Sequence, residues 1–156
     1  MPAIKSCLWF RDAAEEAANF YVSLFPNSKV ANVMRAGGAV VAVDFVLDGR
    51  PFLALNGRRE PAFTDAVSFV VPCESQADVD RYWDALVRGG EEGQCGWLKD
   101  RFGVSWQVVP NEMGALLGDP DPARAGRAMQ AMLGMKKLDV AALRRARDGE
   151  AAARPA

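Results

Sequence analysis

The side chains able to do chemistry gather between Cys95 and Pro110, in the run Cys-Gly-Trp-Leu-Lys-Asp-Arg-Phe-Gly-Val-Ser-Trp-Gln-Val-Val-Pro. A thiol, a hydroxyl, an amide and two indoles can hold a small organic molecule, but they do not make an acid–base pair. The chain has no His anywhere, so it lacks both the commonest metal ligand and the usual proton shuttle near neutral pH. Cys95 has neither an imidazole to activate it nor an adjoining basic residue, so packing is its expected role. Asp44 and Asp100 form no spaced acid pair and are expected in turns or at the surface, with Lys99-Asp100-Arg101 as a hairpin tip.

These groups need a sheet to position them. From Val104 to Val109 the residues are β-branched or aromatic with polar side chains between, which describes a strand closed by Pro110. Trp106 points to one side, into a helix-facing core, while Ser105, Gln107 and Val109 point to the other. A buried amide at Gln107 requires a hydrogen-bond partner, from the protein or from a ligand.

Composition narrows the classes. The 156 residues, half of them hydrophobic, suffice for one well-buried domain or two small half-domains. Nineteen basic against twenty acidic residues leave a formal charge of −1, giving no field to recruit nucleic acid or an anionic membrane. No apolar run is long enough to cross a bilayer. Cys7, Cys73 and Cys95 are odd in number and unpaired in spacing, and Met1-Pro2-Ala3-Ile4-Lys5 lacks the apolar run of a signal peptide. The expectation is a reducing cytoplasm.

Along the chain, Ile4 to Phe10 reads as a strand and Asp12 as the cap of a helix from Ala13 to Phe25. Ala14, Ala17, Ala18, Tyr21, Leu24 and Phe25 form its apolar stripe. Strands follow over Lys29–Met34, Val40–Leu47 and Pro51–Gly57, with turns at Gly37-Gly38 and Asp48-Gly49. After a polar stretch the pattern restarts: a strand over Ala66–Val71, a helix opened by Glu74-Ser75-Gln76 and closed by Gly89-Gly90, then strands over Gln94–Leu98 and Val104–Val109. The pattern predicts an α+β fold of paired βαβββ modules, residues 1–57 and 65–110, forming a curved sheet around a cleft. Residues 111–156 predict a C-terminal helical extension. Asp121 with Pro122 and then Asp139 start its helices, and its end is frayed from Arg144 onward.

Several motifs carry a resemblance: Cys7-Leu8-Trp9-Phe10, Glu15 to Tyr21, Phe25-Pro26-Asn27-Ser28, Leu55-Asn56-Gly57, Cys95 to Asp100, Phe102 to Gln107, Met129 to Met132 and Met135-Lys136-Lys137. Through them the chain resembles the PhnB-like family, often labelled demethylubiquinone methyltransferases, of the vicinal-oxygen-chelate superfamily that includes glyoxalases, bleomycin-resistance proteins and dioxygenases. The resemblance covers roughly residues 4–146. It implies the paired βαβββ fold and a homodimer. It also places Lys5, Ala54, Ala66 and Gln107 where the superfamily's metalloenzymes carry ligands. Of these only Gln107 has a usable donor, so the expectation is no metal and no cofactor. No Gly-rich strand-to-helix turn for S-adenosylmethionine is visible.

Strand parity sets Cys7 with Trp9, Phe52 with Asn56, Ser68 with Val70, and Ser105 with Gln107 on the cleft side. The candidate ligand-binding residues are therefore Trp9, Asn56, Ser68, Gln107, Cys7 and Lys5. The expected function is metal-independent binding of a small organic molecule by a cytoplasmic homodimer. The alternatives are an enzyme of glyoxalase, dioxygenase or methyltransferase type with unrecognised ligands or cofactor, and a structural or interaction module whose cleft is filled by side chains.

Overall fold

A computed structural model of the protein describes residues 4–59 and 61–150. The expectations for Met1 to Ala3, and for the tail after Glu150, lie outside the described residues. The chain is α+β, and compactness divides it into a unit ending at Ala62 and a second beginning at Phe63.

In the first unit β1 (Ser6–Phe10), α1 (Ala14–Leu24), β2 (Lys29–Ala36), β3 (Ala39–Leu47) and β4 (Arg50–Asn56) give a four-stranded sheet in the order β1-β4-β3-β2. β1 runs parallel to β4 and the other pairs are antiparallel. The two hairpins follow from their turn residues. Gly37 and Gly38 have φ of 57° and 84°, and Asp48 and Gly49 have 46° and 74°. Positive φ at both central positions supplies the twist that a two-residue hairpin needs. On one face α1 buries Ala14, Ala17, Ala18 and Tyr21, and its small residues bring the helix close to the sheet. Tyr21 lies 6.5 Å from Phe45, which in turn lies 5.3 Å from Phe52. Each such ring contributes about 1.5–3 kcal/mol by leaving water.

The second unit repeats the plan with β5 (Phe69–Cys73), α2 (Gln76–Val87), β6 (Glu91–Glu92), β7 (Trp97–Lys99) and β8 (Ser105–Pro110), in the order β5-β8-β7-β6 with β5 parallel to β8. Ser75 caps α2 reciprocally: its hydroxyl accepts from the Asp78 N–H while the Asp78 carboxylate accepts from the Ser75 N–H. Val79, Trp83 and Leu86 of α2 are buried with Val71, Leu98, Trp106 and Val108 of the sheet.

Three short helices complete this unit: α3 (Met113–Leu117), α4 (Pro122–Leu133) and α5 (Val140–Asp148). Asp121 and Asp139 accept hydrogen bonds from Ala123 N and Ala142 N, as their positions before the helices predict. Met113, Leu116, Ala128, Leu138 and Leu143 form a core against which Val109, Met132 and Met135 pack. The methionines therefore fill space within their own chain. Gln76, first residue of α2, ties this layer down: its amide donates to Leu138 O at 3.0 Å and accepts from Val140 N at 2.9 Å.

Four departures from expectation go beyond a shift of a residue or two at an element's end. β5 starts at Phe69 rather than Ala66, because Thr64 accepts from Ala66 N and Val67 N and makes a turn there. Of the strand expected over Gln94–Leu98 only Trp97 and Leu98 are strand, in β7, because Cys95 and Gly96 have φ of 58° and 84° and cannot continue a ladder. Asp12 does not cap α1. Arg144 to Asp148 belongs to α5 and ends at Gly149 in the left-handed region, so the frayed end does not begin at Arg144. No helix among the described residues is long and apolar enough to cross a membrane.

Candidate functional site

Each sheet has a face turned away from its helix, and the side chains capable of binding stand there. In the first unit Cys7 and Leu53 are register partners, as are Trp9 and Leu55. Lys5 precedes this row and donates to Asp44 Oδ1 at 2.6 Å. The Trp9 indole lies on Gly57: a Cβ there would come 1.9 Å from Nε1, so only glycine leaves the ring its place. Above the ring the Arg59 guanidinium sits 4.8 Å from its centre, a favourable cation–π separation.

Asn56 and Phe52 do not share this face, which corrects the expected parity. Phe52 pairs with Ser6, Ala54 with Leu8, and Asn56 with Phe10, on the side covered by α1. Asn56 Oδ1 accepts from Ala14 N at 2.8 Å and its Nδ2 donates to Val40 O at 3.1 Å. It thus caps α1 from a neighbouring strand, the task expected of Asp12, and an orphan helix N–H explains its amide. Ala54, fully buried, faces the helix too.

In the second unit Trp97 pairs with Gln107 and Lys99 with Ser105, so all four share a face. Gln107 Nε2 donates to Ser68 Oγ at 2.9 Å, joining two of the expected residues although Ser68 lies just before β5. Ser105 is buried, and its hydroxyl donates to Asp65 Oδ1 at 2.8 Å, with Lys99 Nζ 3.5 Å from the same oxygen. The Ser105 hydrogen bond, with help from Lys99, holds the Asp65 carboxyl below the usual range. A groove of about 400 Å³ runs along this edge between Asp65, Trp97, Lys99 and the acidic pair Glu91 and Glu92. Asp65, Trp97 and Lys99 were absent from the sequence-based candidates. The Asp-Arg-Phe-Gly turn could have revealed two of them, since a turn there dictates the pairing of Lys99 with Ser105. Ala66 stands in the turn before β5 and offers no donor atom.

Trp106 occupies the opposite, buried face beside Phe69, ring centres 5.3 Å apart. Its indole N–H donates to Asp100 Oδ2 at 2.8 Å. Asp100 keeps the turn role expected of it, its Oδ1 accepting from Phe102 N and Val104 N, but it is buried rather than at the surface. The carboxylate therefore shapes the turn and anchors the core together.

The cysteines differ in exposure. Burial pushes the Cys73 thiol up to about 11, whereas Cys7 is exposed. Iodoacetamide at pH 8 is expected to label Cys7 within minutes and to leave Cys73 unmodified until denaturant is added, as peptide mass mapping would show. Labelling of Cys73 in the folded protein at a comparable rate would count against its burial.

A family model described as 3-demethylubiquinone-9 3-methyltransferase matches residues 2–109. The chain belongs to this PhnB-like family. The PhnB protein from Bacillus cereus is 31% identical over 70% of this chain and 99% of its own, with a TM-score of 0.66. Protein PA1353 from Pseudomonas aeruginosa shares 20% identity over 70% and 98%, at a TM-score of 0.57. The fosfomycin resistance protein FosX from Mesorhizobium loti shares the fold at 13% identity, covering 69% and 89%, with a TM-score of 0.52. No curated protein matches the chain.

Two groups that this kinship brings to mind do not fit the residues of this PhnB-like chain. A metal needs several strong donors, and no group of three or more Cys, Asp or Glu placed to hold an ion occurs among the described residues. S-adenosylmethionine, the methyl donor the family description suggests, gains nothing from the strand-to-helix turns. Those turns are Arg11-Asp12-Ala13, Glu74-Ser75 and Asn111-Glu112, and none contains a glycine to let a ligand approach the backbone.

Proposed function

We propose that this PhnB-like protein binds a small, partly aromatic organic molecule on the sheet faces turned away from the helices, without a catalytic divalent metal, as a cytoplasmic homodimer. One observation carries the reading. Each sheet buries one face under its helix and keeps on the other an indole with polar neighbours, Trp9 in the first unit and Trp97 with Ser68 and Gln107 in the second. Binding sites are built from such mixtures of aromatic body and sparse polar groups. The donor set explains why binding is favoured over metal-assisted chemistry: Lys5 is matched by Asp44, and the Gln107 amide is a weak neutral ligand already engaged with Ser68. For the homodimer, Met129 and Leu133 remain exposed one turn apart on α4 and supply an apolar contact.

Native mass spectrometry of freshly purified protein tests the reading. The expected spectrum shows a dimer carrying an organic adduct that dissociates on mild activation, and elemental analysis finds zinc, nickel, manganese and iron far below stoichiometry. A bare monomer in every preparation would sink the reading. A stoichiometric metal whose removal and return switch an activity off and on would replace it with an enzymatic one.

A further inference from the structure

The surroundings of Trp9 carry the reading further, to the charge of the molecule bound. Lys5, on the same face, has its charge answered by Asp44 at 2.6 Å. Arg59 is exposed and, among the described residues, has its contact with the Trp9 ring and no carboxylate partner. Among the described residues the face is therefore left with the Arg59 charge unanswered by a carboxylate, beside the apolar surface of Trp9, Leu53 and Leu55. A guanidinium held 4.8 Å from the centre of an indole has more N–H donors than the ring can engage. The remaining N–H groups form the planar fork that matches a carboxylate. The indole cannot withdraw from beneath it, because Gly57 already fills the space on which the ring rests. The cation–π contact thus holds the cation in place and reduces the ordering cost of binding.

We propose that Arg59 selects an organic carboxylate, taking the anionic group in its guanidinium fork while the apolar body lies against Leu53 and Leu55, with Trp9 as the positioning residue that holds Arg59. This proposal rests on the reading of that face as a binding face.

The test uses the full chain labelled with nitrogen-15 and three probes of one shape: 2-naphthoate, 2-naphthylmethanol and 2-naphthylmethylammonium. The readout is the Trp9 indole N–H resonance, assigned by its disappearance in Trp9→Phe. The expected result is a saturable shift with 2-naphthoate at a dissociation constant roughly tenfold or more below that of the alcohol, with the ammonium weakest. Arg59→Gln is expected to erase the preference by weakening naphthoate about tenfold while the alcohol is unchanged. Arg59→Lys, which keeps the charge but not the planar fork, is expected to restore only part of it. Residue 59 stands in an exposed loop, so both variants should fold, and an unchanged remainder of the spectrum verifies this. Equal affinities for naphthoate and alcohol, tighter binding of the ammonium, or an unchanged preference in Arg59→Gln would overturn the role of Arg59 while leaving the binding face intact. No shift from any probe would overturn the binding reading of this face, and the role of Arg59 with it.

Discussion

Replacing Asp100 with alanine is expected to lower the unfolding free energy by about 3–5 kcal/mol, measured by urea denaturation. The carboxylate is 3% exposed and accepts from Phe102 N, Val104 N and the Trp106 indole N–H, at 2.9, 3.1 and 2.8 Å. Alanine leaves the buried donors of Val104 and Trp106 with nothing to receive them, and water cannot follow them into the core. Asp100→Asn separates the two roles of the side chain. Its carbonyl can still take the turn N–H groups, but its NH2 then faces the indole N–H, donor against donor, so about half the loss is expected. A loss below about 1 kcal/mol in Asp100→Ala would show that the turn is held by its backbone alone, through Asp100 N to Val104 O and Gly103 N to Asp100 O.

Gly90→Ala is expected to cost about 2–3 kcal/mol for a different reason. A Cβ at this position would stand 2.1 Å from Lys99 O and within 3 Å of the Asp100 main chain. Backbone cannot rotate aside as a side chain can, so the segment leading from α2 into β6 must move and the pairing of Glu91 with Lys99 opens. Hydrogen exchange at the β6–β7 ladder should accelerate in the variant. Gly126→Ala provides the control: it lies inside α4 where a Cβ meets nothing, and the better helix former should stabilise by up to about 1 kcal/mol. Equal, small effects of the two substitutions would contradict the packing at Gly90.

Which features were legible in the sequence depends on how local their causes are. The hairpins at Gly37-Gly38 and Asp48-Gly49, and the starts of α2, α4 and α5, are written in adjacent residues, because a left-handed turn or a cap is decided within one turn of chain. The βαβββ plan, repeated, follows from those same signals. The facing of β4 is not local. Phe52, Ala54, Leu53 and Leu55 make both of its sides apolar, so alternation alone cannot say which side meets α1, and only the pairing of Asn56 with Phe10 decides it. Asn56 consequently reads as a binding amide until its bond to Ala14 N is seen. On β8 the pattern is polar on one side and apolar on the other, and there Trp106 and Gln107 fall on the faces that parity expects. The partnership of Asp100 with Trp106 spans a tight turn and is carried by geometry rather than by residue type.

The amide of Gln76 has a bearing on how the molecule comes into being. The strands of the first sheet have all been added once Asn56 is joined, but the partners of Gln76, Leu138 and Val140, arrive 62 and 64 positions after it. At a synthesis rate of about 5–20 residues per second, the nascent chain spends several seconds with one sheet's sequence complete and the first turn of α2 still lacking the clasp that seats α5. Until Leu138 and Val140 arrive the amide has Asp80 and water for partners, and the release of that water accompanies the seating of α5 on the first turn of α2.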